Sequence, residues 1–102
     1  MNKTEFAVIV DELLAKVDAI GMDDYHTGLK AVNEFRTLAY KYRDYLSPDT
    51  TDSASLIESD FDKVRRYKDS RNIPKQNEHY HSATTLLEHV ITKMKQTNQF
   101  PE

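Results

Sequence analysis

The chain has 102 residues, 14 basic against 17 acidic side chains, 38% hydrophobic residues and neither cysteine nor tryptophan. That length holds one domain with one modest core; Leu, Ile, Val and Phe fill 23 positions, a little above the roughly 20% floor below which chains stay disordered. Without cysteine there is no disulfide, thiol nucleophile, thiolate zinc site or iron–sulfur ligation, and a net charge of −3 argues against general binding to nucleic-acid phosphates.

The longest apolar run, Phe6 to Val10, is bracketed by Glu5 and by Asp11 and Glu12. It falls far short of the roughly 20 residues needed to cross a bilayer. The composition therefore reads as a cytoplasmic protein with no membrane insertion.

Four amphipathic helices are expected. The first spans about Thr4 to Ile20: Phe6, Val10, Leu13, Val17 and Ile20 recur on one helical face. Asn2 and Glu5 form a capping box at its start, and Gly21 stands where a left-handed C-cap belongs. The second runs from Asp24 to Leu46, with Asp23 and Asp24 at its positive end and Leu29, Val32, Phe35, Ala39, Tyr42 and Leu46 on its apolar face. Ser47-Pro48-Asp49 stops it.

The third spans Ala54 to Arg71, with Ser55 and Glu58 as a second capping box. Its stripe is thin (Ile57, Phe61, Val64 and Tyr67), and the charged Asp60, Lys68 and Arg71 fall on or near it. Pro74 reads as a break. The fourth spans Asn77 to Thr97, with Tyr80, Ala83, Leu87, Val90 and Met94 on its face, and the tail from Asn98 is expected to fray. Short connections between four such helices predict an all-α, antiparallel up-down bundle. The alternative is a three-helix core with one mobile or dimer-forming helix.

Catalytic signatures are missing. The two glycines, Gly21 and Gly28, are isolated, and no phosphate loop or nucleophile elbow is present. His26, His79, His81 and His89 are the only candidates for metal binding or acid–base chemistry. At about 100° per residue, Glu78, His81, Asp23 and His26 all point away from the apolar stripes, towards water, whereas His79 sits at a boundary. No catalytic, cofactor-binding or metal-ligating residue is assigned, and a metal-dependent bundle enzyme using the histidines ranks second.

The interaction signal is stronger. Arg36, Tyr40 and Arg43 lie at i, i+4 and i+7, a ridge beside the core stripe, and Arg and Tyr are enriched at binding hot spots. Arg65, Arg66, Lys68 and Arg71 form a basic stretch, although interleaved acids leave residues 58–75 at only +2. These seven residues are the expected partner-binding set, and the partner is a protein or a second copy of the chain. A weak nucleic-acid or nucleoprotein contact through residues 63–75 is the third reading. In size and four-helix layout the chain resembles small bacterial immunity proteins and phage-encoded inhibitors; that likeness is one of architecture, and it implies a regulatory, inhibitory or immunity role.

Overall fold

A computed structural model describes residues 1–102 as four helices, α1 (Lys3–Asp18), α2 (Tyr25–Lys41), α3 (Ala54–Asp69) and α4 (Ile73–Thr97). A single 3-10 turn, Arg43–Tyr45, follows α2. Each helix packs on the next in sequence and α4 returns beside α1, leaving α2 and α4 diagonal. The register is antiparallel throughout. Phe6 meets Tyr42 across α1 and the end of α2, the Lys16 ammonium lies 3.2 Å from Glu34, and the Tyr80 hydroxyl donates to the Ile20 carbonyl at 2.6 Å. All four helices feed one core, so none is left over as a mobile or dimer-forming arm.

The helix starts follow from caps. Asn2 and Glu5 make the expected reciprocal capping box at α1. Gly21 does not cap that helix: α1 ends at Asp18, Ala19 closes it in a right-handed conformation, and no glycine has positive φ. Asp24 stands at the α2 N-cap without a side-chain bond. Ser55 and Glu58 form no capping box, because both side chains turn outward to Arg36; Ser53 occupies the N-cap. The second helix stops at Lys41 rather than Leu46, and the 3-10 turn continues the chain.

The turn between α3 and α4 is a Schellman motif. The Asn72 amide donates to the Tyr67 carbonyl at 2.8 Å, the Arg71 amide donates to Lys68 at 3.0 Å, and Arg71 takes φ 59° at the left-handed position. Asn72 then caps α4 through the Lys75 amide at 3.2 Å. Pro74 therefore lies inside the first turn of α4, where its missing N–H costs no helical bond. The fourth helix starts four residues earlier than its apolar stripe suggests. Along it Ile91 is buried while Val90 is only half-buried.

The tail does not fray. Phe100 is 3% exposed, caged by Phe6, Tyr42 and Tyr45 at ring separations of 4.8, 5.5 and 4.2 Å. The Gln99 amide donates to the Tyr45 carbonyl and the Lys3 amide to the Pro101 carbonyl, both at 2.8 Å. Asn98, itself buried, turns the chain by donating to the Lys95 carbonyl and accepting from the Phe100 amide. One aromatic anchor and satisfied backbone groups hold these five residues.

At Gly28 the α2 backbone is packed directly against the Phe61 ring of α3. A Cβ built there would stand within 2.7 Å of three Phe61 ring carbons. Gly28→Ala should therefore destabilise the bundle by about 1–3 kcal/mol, although alanine is the better helix former by about 1 kcal/mol. Urea denaturation of the two proteins measures the difference, and a variant more stable than the parent would refute the contact.

Where α1 ends beside α4, Asp18 and Glu88 share a site. The hydrogen bond with Asp18, partial burial and the Asp18 charge all raise the Glu88 carboxyl above its ordinary range. A raised folded-state pKa gives stability that is present in acid and lost as pH climbs through it. Glu88→Gln should therefore raise Tm at pH 7, and the gain should disappear near about pH 4, where the unfolded carboxyl also takes up its proton. Paired thermal melts at the two pH values test the sign.

Candidate functional site

Of the ridge expected on the second helix, Arg36 and Tyr40 lie on α2, while Arg43 lies beyond its end on the 3-10 turn, and the following loop builds a cleft against all three. Arg36, Ala39 and Tyr40 on α2 and Arg43 on the 3-10 turn form one wall, and Leu46, Ser47, Pro48 and Thr51 form the other, around a volume of about 370 Å³. Ser47-Pro48 reverses the chain, which carries the linker back beside α2. The Thr50 amide and hydroxyl both donate to the Ser47 carbonyl, at 3.1 and 2.6 Å, and fix that reversal.

Within the cleft the two arginines are held differently. Arg36 is tied to α3, paired with Glu58 and donating to the Ser55 hydroxyl at 3.4 Å. Arg43 lies over the Tyr40 ring, its guanidinium carbon 4.4 Å from the ring centre, and donates to the Tyr40 carbonyl at 2.9 Å. It forms no ion pair. Tyr40 is 70% exposed. A stacked, pre-oriented Tyr–Arg pair facing solvent is a strong contact element, because little side-chain freedom is left to lose on docking.

The basic residues of the third helix are arranged otherwise. Arg65 reaches Asp62 at 2.9 Å and Asp69 at 3.8 Å, Arg66 reaches Asp62 at 2.9 Å, and Lys68 lies 3.9 Å from Asp23. The neighbouring guanidinium groups hold the Asp62 carboxyl below the usual range, chiefly through the Arg65 hydrogen bond. Arg71 is exposed in the left-handed turn. From Glu58, where Arg36 docks, to Lys68 is about 15 Å along α3, so the basic stretch and the ridge occupy opposite ends of the bundle. They do not form one surface.

A second cleft, of about 310 Å³, separates the 47–53 linker from α4. It sets Asp49 and Asp52 opposite His89 and Lys93 over a floor of Leu86 and Val90. Asp49 is held below its ordinary range by the Ser47 hydroxyl and then by Lys93. Two carboxylates face one lysine and one histidine there, so groups of both signs are mixed within the cleft.

The polar group that sequence reasoning could not complete is at the interface of α3 and α4. Asp60, 7% exposed, accepts from the Ser82 hydroxyl at 3.0 Å and pairs with His79 Nδ1 at 3.1 Å. The Tyr67 ring stacks on His79 at 5.4 Å with an 8° interplanar angle. Its position on the apolar stripe marks Asp60 as unusual in the sequence, whereas its partners come from another helix. Although the residue types are those of a hydrolytic triad, the connectivity is not: serine and histidine both address the carboxylate, and the serine does not donate to the histidine. The cluster satisfies a buried acid and sets the α3–α4 register.

Elsewhere Glu78, His81, Asp23, His26 and His89 are exposed, and no three His, Asp or Glu side chains converge to hold a metal ion. Asp60→Ala, which strands the half-buried His79 and removes both bonds, should cost about 3 kcal/mol; Asp60→Asn, which keeps the Ser82 bond, should cost less. Chemical denaturation ranks the two, and equal losses would mean that the side-chain shape and the Ser82 bond, which the asparagine variant keeps, contribute nothing.

Comparison of the chain with protein-family models, with curated proteins and with solved structures found no match.

Proposed function

We propose that this chain is a protein-binding module of regulatory, inhibitor or immunity type, acting in the cytoplasm by docking and not by catalysis. The docking surface is the Arg36–Tyr40–Arg43 ridge with its cleft. The observation that carries this reading is the Tyr40–Arg43 pair: a tyrosine left 70% exposed, beneath an arginine without a carboxylate partner, beside Leu46 and Pro48. Covering such a ring removes on the order of 100 Å² of apolar surface from water and contributes about 2 kcal/mol. The paired residues Arg65, Arg66 and Lys68 at the other end contribute less, because their charges are already compensated. A second copy of the chain is the other partner to be considered, since a small core gains from further burial.

The test is Tyr40→Ala. Circular dichroism and Tm should stay at wild-type values, because the ring packs on no core residue, while affinity falls by about 30-fold. Affinity capture from the source cell and sedimentation equilibrium cover the two kinds of partner. Capture and self-association that both survive the substitution on an intact fold would sink the reading.

A further inference from the structure

The proposed docking surface has a chemical bias that the ridge alone does not reveal. In a chain of net charge −3, the cleft is lined by two arginines and no carboxylate. Arg36 is compensated by Glu58, whereas Arg43 has no acid within ion-pair distance and spends one N–H on the Tyr40 carbonyl. The Tyr40 ring 4.4 Å away and the Tyr40 carbonyl together hold the guanidinium in place. Its remaining N–H groups are a preformed fork of the kind that grips planar oxyanions in a bidentate manner.

We infer that the partner enters this cleft with a single acidic side chain, its carboxylate on Arg43 and an adjacent apolar side chain against Ala39, Leu46 and Pro48. The charge balance selects this occupant. One uncompensated guanidinium matches one negative charge, whereas a phosphate carries nearly two, of which Arg43 compensates only one. A nucleic acid needs several phosphates neutralised along its backbone, and the other arginines of the bundle with acidic partners lie at its far end. Glu58 on Arg36 shows the same chemistry within the chain: a carboxylate already sits on the neighbouring guanidinium of this cleft. An acidic segment of a protein partner satisfies both the charge and the apolar wall.

This inference rests on the docking reading above, and its test is chosen to fail separately. The isotope-labelled full chain is titrated with the capped peptide Ala-Leu-Glu-Leu-Ala, with its Leu-Gln-Leu counterpart and with inorganic phosphate, following the Arg43 side-chain N–H resonance by NMR. The glutamate peptide should give a saturable shift with a Kd of about 1 mM, and the glutamine peptide and phosphate should each bind about tenfold more weakly. Arg43→Lys, which keeps the charge but loses the fork and the stack, should reduce glutamate-peptide binding by about tenfold. A flat titration, or equal binding of the glutamate and glutamine peptides, overturns the acidic occupant. Phosphate binding as tight as the peptide would make this a general anion site and overturns it too. If Tyr40→Ala abolishes partner capture while the titration stays flat, the ridge stands and only the acidic occupant falls.

Discussion

The bundle turns on the contact between Gly28 and Phe61. With no side chain at position 28, the Phe61 ring lies directly against the backbone of α2. That contact brings α2 and α3 close at this point. Two turns onward it lets Arg36 reach Ser55 and Glu58, and towards the other end it brings Asp23 near Lys68. A larger residue at this point would move α2 outward, and the cleft beside the ridge would lose the wall that Arg36 anchors. The geometry of the candidate surface is therefore inherited from a glycine on the far side of α2 from solvent.

Phe61 has Asp60 as its neighbour, so adjacent residues of α3 serve different interfaces. Phe61 fills the α2 side with an apolar ring, while Asp60 meets His79 and Ser82 on α4. The two contacts do different things. Apolar packing tolerates sliding between helices, because its energy depends on area and little on direction. A buried carboxylate with two directional partners does not, since a displaced acid would be left unsatisfied at a cost of several kcal/mol. Around this core the surface ion pairs, Lys16–Glu34 and Lys95–Asp11 among them, join neighbouring helices while contributing little each.

Much of this was legible in the sequence, and what was not has a physical cause. The stripes through Phe6, Val10, Leu13 and Val17 and through Ala83, Leu87 and Met94 gave the helices and their inward faces, because periodicity reports burial directly. The Ser55–Glu58 pair has the spacing of a capping box, but Arg36, distant in sequence, competes for both side chains. Pro74 is ambiguous by nature, since a proline ends one helix and starts another equally well. The tail carries a single aromatic residue among polar ones, so no periodic signal exists; its cage is assembled from three separate segments. At the candidate site, the i, i+4, i+7 spacing located the ridge. The opposing wall of Leu46, Pro48 and Thr51 depends on how the linker folds back, which local pattern does not encode.

The tail also ties the two ends of the described chain to one place. Lys3 and Pro101 share a backbone hydrogen bond, and Phe100 lies between Phe6 and Tyr45 at the same corner. Two backbone hydrogen bonds, Lys3–Pro101 and Gln99–Tyr45, and one aromatic cage therefore join the tail to both α1 and the end of α2. The first turn of α1 and the last residues of the tail are thereby clasped at one corner of the bundle.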